Sequence, residues 1–188
     1  MSDAVVQTET DLPDAATTRA LGAALAAVLR AGDLVILTGD LGAGKTTLTQ
    51  GLGAALGVRG QVASPTFIVA REHPPLPGST GPDGGPGPAL VHVDAYRLGG
   101  LSELDALDLD SSLEESVTVV EWGRGLAEAL TDERLEIELA RPRGGVGADL
   151  DTDPDADPGA GTRHAVLRGV GARWADVDLA RIADVGNP

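Results

Sequence analysis

The sequence predicts a single domain of the α/β class, a three-layer sandwich whose mostly parallel sheet ends in a C-terminal antiparallel hairpin. Three observations support this prediction. The 188 residues suffice for one hydrophobic core but leave little room for a second. Short apolar strands alternate with helical stretches along the chain. The first of these strands runs directly into a glycine-rich loop that opens a helix.

The elements follow from apolar periodicity. Apolar residues between Leu21 and Leu29 repeat at helical spacing, which predicts a helix over 14–31. A buried strand is predicted at 34–37 and a second helix at 45–56. Further strands are predicted at 66–71, 90–94, 117–121, 135–140 and 164–170, the last two forming the hairpin, and a closing helix at 174–182.

Two segments differ from the rest in composition. Residues 74–88 are dominated by Pro and Gly, and residues 142–161 by Asp, Gly and Pro. Neither segment can bury much apolar surface. We expect both to be flexible surface loops that join adjacent strands and have no function of their own.

Net charge restricts the partners. The formal charge is −15, whereas a protein that grips nucleic acid by itself usually neutralises phosphates with clustered Lys and Arg. If RNA is involved, we expect another subunit to hold it.

Cysteine usage and the N-terminus restrict the location. The chain has no cysteine, which excludes disulfides and thiolate metal sites. No apolar run approaches the roughly 20 residues that span a bilayer, and the N-terminus is acidic where a secretory signal would be basic. We therefore expect a cytoplasmic protein that does not enter a membrane.

The segment GDLGAGKT at 39–46 fits the phosphate-binding pattern G-x-x-x-x-G-K-[ST] at every position. Its glycines let the backbone curl so that N–H groups point inward, and the start of the following helix adds positive charge. Lys45, the only lysine among 14 Lys and Arg residues, would neutralise phosphate charge, and the Thr46 hydroxyl suits Mg²⁺. A P-loop NTPase-like site for a nucleotide and Mg²⁺ is thus predicted at residues 39–47.

Two predicted strands end in a carboxylate, as the metal ion of such a site requires. Residues 90–94 read LVHVD and residues 117–121 read VTVVE. Because α/β sheets bind ligands at the carboxyl ends of parallel strands, Asp94 and Glu121 should lie beside the phosphate loop. One acid could hold Mg²⁺ while the other orients the attacking water, and the residues alone leave that assignment open.

A hydroxyl is also expected from the loop that leaves the second helix. Residues 64–66 read SPT, and segments in this position of P-loop proteins offer a hydroxyl to the γ-phosphate and metal. Thr66 is the candidate, although a Ser-Pro turn leading into a strand explains the same residues.

Taken in order and spacing, these motifs resemble the TsaE (YjeE) family of bacterial ATPases. The segments that carry the resemblance are GDLGAGKTT at 39–47, SPTF at 64–67, HVDAYR at 92–97 and VEW at 120–122. The resemblance implies a Mg²⁺-dependent accessory ATPase with low intrinsic activity. It would support formation of threonylcarbamoyladenosine at adenosine 37 of tRNAs that read ANN codons. Its partners would be TsaB and TsaD, and it would contact tRNA only indirectly, through the complex with them.

The resemblance also implies roles for individual residues. Thr46 and Glu121 would be the Mg²⁺ ligands, Asp94 the Walker B acid and Thr66 the switch threonine. The residues that would bind ATP are Gly42, Ala43, Gly44, Lys45, Thr46 and Thr47. The segment beside Asp14 would lie near the nucleotide base.

Three other classes of P-loop protein compete with this interpretation. A GTPase is disfavoured because its guanine-reading Asn-Lys-x-Asp element needs a second lysine. A small-molecule kinase shares the P-loop and the size, but it usually has an arginine-bearing lid. In this sequence the loops 74–88 and 142–161 contain a single arginine, Arg143. The third class is an interaction module in which ATP binding orders a surface, and it overlaps the favoured function.

Overall fold

The computed structural model describes residues 5–64, 69–141 and 161–185. In chain order the strands are β1 (Val5–Leu12), β2 (Leu34–Thr38), β3 (Ala70–His73), β4 (Ala89–Asp94), β5 (Ser116–Glu121), β6 (Arg134–Ala140) and β7 (Arg163–Val170). The helices are α1 (Ala15–Ala26), α2 (Lys45–Leu56), α3 (Leu101–Asp105), α4 (Leu109–Leu113) and α5 (Leu179–Ala183).

The strands form one mixed sheet of seven, in the order β1-β7-β6-β2-β5-β4-β3. Its centre, β6-β2-β5-β4, is parallel, and the predicted C-terminal hairpin is present as the antiparallel pair of β6 and β7. The edge strands β1 and β3 are also antiparallel to their neighbours. The parallel centre confirms an α/β fold and places the ends of β2, β4 and β5 at one edge.

Helices cover both faces of the sheet. Val35 and Leu37 of β2 join a core cluster with the apolar residues of α1, α2 and α5. Leu34 and Ile36 point to the opposite side and pack with residues of α3 and α4. Because consecutive strand residues face opposite sides, a central strand buried on both faces is continuously apolar.

Helices α1 and α2 pack with almost no space between their backbones. A Cβ added to Gly22 would lie 2.1 Å from the Leu48 carbonyl oxygen, and one added to Gly51 would lie 2.1 Å from that of Arg19. Both glycines are therefore required for this contact. The contact fixes α2, which begins at Lys45 directly after the glycine-rich loop, against α1.

Several predicted boundaries were wrong. The first helix ends at Ala26 rather than at residue 31, because the guanidinium of Arg173 donates to the Val28 carbonyl at 2.7 Å and replaces a further helical turn. The closing helix is divided into a 3₁₀ turn at Ala172–Trp174 and α5, because the Asp178 side chain caps α5.

Strand β1 was not predicted at all. Three of its inward side chains, Val6, Thr8 and Thr10, are only half-buried. Two of these are polar, so the strand shows little of the apolar alternation that reveals a strand in sequence. Pairing with β7 over all eight residues holds it in place.

Parts of the remaining predictions lie outside the described residues. Of the strand predicted at 66–71, positions 66–68 are not described, and β3 begins at Ala70. The first loop, 74–88, is described and folds back on itself through a bridge between Thr80 and Pro86. Residues 142–160 of the second loop are not described, so the flexibility of both loops stays a prediction. Within the described ranges no helix is both long and apolar enough to cross a bilayer.

Candidate functional site

Between β2 and α2 the chain forms a tight loop whose glycines adopt left-handed conformations. Gly39, Gly42 and Gly44 have φ of 151°, 76° and 106°, a region that residues with a Cβ rarely adopt. Gly39 also has no room for a side chain, because a Cβ would lie 2.3 Å from the Leu139 carbonyl oxygen. Gly44 is the N-cap of α2 and has no side chain to satisfy the N–H groups of the first turn, which can therefore bind an anion.

The Lys45 side chain lies back across this loop and is only 5 % exposed. Its ammonium donates hydrogen bonds to the carbonyl oxygens of Gly39, at 2.7 Å, and Asp40, at 2.9 Å. Burial lowers the pKa of Lys45, and nearby carboxylates, that of Glu121 first, oppose the shift. Phosphate oxygens form stronger, charge-assisted bonds with an ammonium than carbonyls do. The Lys45 ammonium is thus placed where it could exchange its hydrogen bonds to the loop carbonyls for bonds to a phosphate.

A cavity of about 370 Å³ opens at the loop. Ala43 does not line it, because its methyl group belongs to the core and its N–H donates to the Asp40 carbonyl at 3.1 Å. Thr66 lies outside the described residues, but Ser64, two positions before it, lines the cavity. The other predicted site residues all line it: Gly42, Gly44, Lys45, Thr46, Thr47, Asp94 and Glu121.

Glu121 ends β5 and is buried, with 3 % exposure. The register of the two parallel strands places it opposite Asp94 at the end of β4. Its Oε1 accepts a hydrogen bond from the Thr46 hydroxyl at 3.0 Å and contacts Nε2 of His92 at 2.8 Å. The first turn of α2 and the ends of two strands therefore meet at one carboxylate oxygen.

Asp94 is held in a different way. Its Oδ1 accepts a hydrogen bond of 3.1 Å from the backbone N–H of Tyr96 and so caps a 3₁₀ turn at Ala95–Arg97. The carboxylate remains partly exposed to the cavity. Both acids lie at the carboxyl edge of the sheet, as the sequence predicts, but Asp94 is the more accessible to solvent.

Trp122 follows Glu121 in a left-handed conformation with φ of 61°, which costs a non-glycine residue about 1–3 kcal/mol. Its backbone N–H donates to the Leu37 carbonyl at 2.9 Å. Its ring lies 4.1 Å from the Lys45 ammonium and 5.1 Å, between centroids, from the Tyr96 ring. The conformation therefore places an aromatic face against the loop lysine, a favourable cation–π contact.

Two residues of the site, His92 and Arg163, were not predicted to have a role. His92 precedes Asp94 by two residues, and this spacing is the signal that both share one strand face. Arg163 is 3 % exposed, lines the cavity, and has its Nε 3.6 Å from where a Cβ on Gly44 would lie. It begins β7, whose antiparallel direction brings its first residues to the edge where β6 and β2 end, and no local pattern reveals that.

The side chains fit a nucleotide that brings its own metal ion. Within the described part of the chain, no group of three or more His, Asp, Glu or Cys residues could hold a metal. Thr46 and Glu121 offer one hydroxyl and one carboxylate, and Mg²⁺ commonly combines one or two such protein ligands with water and substrate phosphates. The N–H groups at the start of α2 and the Lys45 ammonium could receive those phosphates.

Comparison with known sequences agrees on one family. Residues 12–145 match the family described as "Threonylcarbamoyl adenosine biosynthesis protein TsaE". The chain is 53% identical over 166 residues to the tRNA threonylcarbamoyladenosine biosynthesis protein TsaE of Streptomyces coelicolor, across 88% of this chain and 99% of that protein. The protein of the same name from Bacillus subtilis is 39% identical over 125 residues, across 66% of this chain and 72% of its own length.

A solved structure agrees as well. The crystal structure of YdiB from Bacillus subtilis superposes with a TM-score of 0.63 and 29% sequence identity, and 90% of each chain is covered. Because the matched segment covers most of the chain and its relatives are similar over most of their length, this protein belongs to the TsaE family of tRNA threonylcarbamoyladenosine biosynthesis proteins.

Proposed function

We propose that this protein is a Mg²⁺-dependent ATPase with a P-loop NTPase-like fold. It would support formation of the threonylcarbamoyl group on adenosine 37 of tRNAs that read ANN codons. The observation that carries the proposal is that Lys45, Thr46, Asp94 and Glu121 line one cavity. Membership of the family supports the role in tRNA modification, and the cavity supports the nucleotide chemistry.

ATP binding would use the loop and its lysine. The first-turn N–H groups of α2 meet the negative phosphates at the positive end of a 12-residue helix. The Lys45 ammonium would exchange its bonds to the Gly39 and Asp40 carbonyls for phosphate oxygens, which requires only a short movement within the same loop.

Hydrolysis would divide the two acids between different tasks. Thr46 and Glu121, already in contact, would hold Mg²⁺, which when bound neutralises charge on the phosphate oxygens. Asp94 would orient the attacking water and accept its proton, because its carboxylate borders the cavity with one oxygen fixed by the Tyr96 amide. Thr66 would add a hydroxyl from the adjoining segment.

The partners would be TsaB and TsaD, with tRNA contacted through the complex. A formal charge of −15 supports this arrangement, because a protein that binds RNA alone usually neutralises its phosphates with clustered Lys and Arg. We propose a low ATPase rate for the isolated protein, a higher one with its partners, and a location in the cytoplasm with the tRNA.

The test is to deplete the protein from its host and measure threonylcarbamoyladenosine in bulk tRNA by mass spectrometry of nucleosides. We expect the modified nucleoside to fall, and to return with the wild-type chain but not with Lys45→Ala. Arg181→Ala, which removes one exposed cation from α5, is the matched control and should restore it. Unchanged levels after depletion would exclude the role in tRNA modification.

A further inference from the structure

We infer that His92 is a positioning residue that holds Glu121 in the orientation needed to bind Mg²⁺. This inference rests on the proposed function and assigns a task to a residue outside the phosphate loop and the two acids. The contact behind it is the 2.8 Å approach of His92 Nε2 to Glu121 Oε1.

The imidazole is enclosed between the sheet and α2. His92 is 0 % exposed and shares its strand face with Leu90, which belongs to the same core cluster as the buried residues of α2. The ring therefore cannot reach substrate or solvent, which excludes a direct part in the reaction. Its polar contact within the site is the Glu121 carboxylate.

The two hydrogen bonds to Glu121 converge on the same atom. The Thr46 hydroxyl and His92 Nε2 both contact Oε1, at 3.0 Å and 2.8 Å, so neither occupies Oε2. With one oxygen held by two donors, the carboxylate keeps a fixed plane and its second oxygen remains available to a cation. In metal sites, residues that do not touch the metal ion commonly hold its ligands in place by hydrogen bonds, and His92 would act on Glu121 in this way.

The ring can serve the carboxylate from only one nitrogen. An ionised carboxylate accepts hydrogen bonds but donates none, so Nε2 must carry the hydrogen. Nδ1 is buried and has no hydrogen-bond partner among the described residues. Among the described residues, the hydrogen bond to Glu121 is thus the polar interaction that this histidine makes.

Lys45 explains why the carboxylate needs such a hold. The charge of Glu121 acts on the Lys45 ammonium strongly enough to oppose the fall of its pKa. A carboxylate released from His92 would turn towards the ammonium and so away from the position at which it would meet the metal ion of a bound nucleotide.

The experiment separates nucleotide binding from metal binding. Affinity for a non-hydrolysable ATP analogue is measured by calorimetry in EDTA and across a Mg²⁺ titration, for wild type, His92→Leu and His92→Gln. Leu removes the donor, whereas the amide of Gln can present an N–H near the position of Nε2. We expect His92→Leu to raise the half-saturating Mg²⁺ concentration about 10-fold or more and to change the affinity for the analogue in EDTA less than about twofold. We expect His92→Gln to restore most of the Mg²⁺ response.

His73 supplies the matched control. It is also a buried histidine, 3 % exposed, on the neighbouring strand β3, but its Nδ1 contacts the Arg59 carbonyl instead of Glu121. His73→Leu should therefore leave the Mg²⁺ titration unchanged even if it lowers the melting temperature. If His92→Leu does not fold, His92→Asn takes its place, because the shorter amide withdraws the donor from Glu121.

Two results would overturn the positioning role alone: a Mg²⁺ titration of the donor-deleted variant that coincides with wild type, or an equal loss of affinity with and without Mg²⁺. Wild-type protein that binds no analogue in either condition would instead overturn the proposed function, and this inference with it. The wild-type curve thus distinguishes the two failures.

Discussion

The Thr46 hydroxyl donates a hydrogen bond of 3.0 Å to Oε1 of Glu121, a residue 75 positions further along the chain. A hydroxyl that gives its hydrogen to a carboxylate keeps its oxygen lone pairs for a cation. The bond ties the first turn of α2, next to the phosphate loop, to the end of β5. It therefore links the loop proposed to bind the phosphates to the carboxylate proposed to bind the metal ion.

Asp94→Ala and Glu121→Ala should impair turnover far more than nucleotide binding. Neither acid belongs to the loop that would hold the phosphates, whereas loss of a proton acceptor or of a metal ligand typically costs about 10²–10⁴-fold in rate. We expect ATP hydrolysis to fall at least about 100-fold while affinity for ATP stays within about tenfold. Single-turnover hydrolysis and equilibrium binding check this, and equal losses of both would contradict the division of roles.

Lys45→Ala should weaken ATP binding itself. Each hydrogen bond to a charged group contributes about 1.5–3 kcal/mol, which corresponds to an affinity loss of roughly 10–100-fold. Calorimetry with ATP in Mg²⁺ measures it. Arg181→Ala removes a cation on α5 and should bind as wild type does, so a similar loss in that variant would point to net charge rather than to the loop.

Trp122 should report nucleotide binding by its fluorescence. Its ring lies 4.1 Å from the Lys45 ammonium, and the lysine would leave this contact for the phosphates. The only other tryptophan, Trp174, is buried in the core cluster with α5. We expect ATP to change the emission of wild type and of Trp174→Phe but not of Trp122→Phe. A full signal from Trp122→Phe would show that the emission change does not come from Trp122 and would contradict this prediction.

Gly22→Ala should destabilise the fold although it adds a single methyl group. The new Cβ would lie 2.1 Å from the Leu48 carbonyl oxygen, so α1 and α2 must separate. Overpacking of this kind costs about 3 kcal/mol, or roughly 6–12 °C in Tm, which thermal unfolding by circular dichroism measures. Gly100→Ala adds the same methyl where nothing lies within 4 Å, and a similar loss there would refute the steric explanation.

The attachment of β1 to β7 should depend on pH through His164. The hydrogen bond that His164 Nδ1 donates to the Asp11 carboxylate raises the pKa of His164 above its ordinary value of 6.5, with Glu9 adding to the shift. Because the folded pKa is the higher one, the stabilisation is complete below about 6.5 and is lost as pH rises through the folded value.

His164→Gln should remove this dependence. The pair is exposed, so we expect its contribution to stay below about 1 kcal/mol. The quantity to measure is the difference in unfolding free energy between wild type and His164→Gln at a series of pH values from 5 to 9. That difference should shrink with rising pH, and a constant difference would exclude the ion pair as its source.

Much of the site could be read from the sequence because its signals are local. The spacing of Gly39, Gly44 and Lys45 specifies the loop by backbone conformation alone, and Asp94 and Glu121 each end a short apolar run. Parallel strands of one sheet bring their carboxyl ends to one edge, so two separate patterns predict one location. The register Asp94 to Glu121 agrees with that expectation.

The sequence by itself indicated the glycine-rich loop, a mostly parallel α/β sheet and the family, because each is signalled by short motifs whose residues lie a few positions apart. Tertiary structure decided the rest: that His92 meets Glu121, that Arg163 of β7 reaches the loop at Gly44, and that β1 exists at all. These contacts join residues distant in the chain. Their energy arises only when pairing register and helix packing bring the partners together, so no local pattern encodes them.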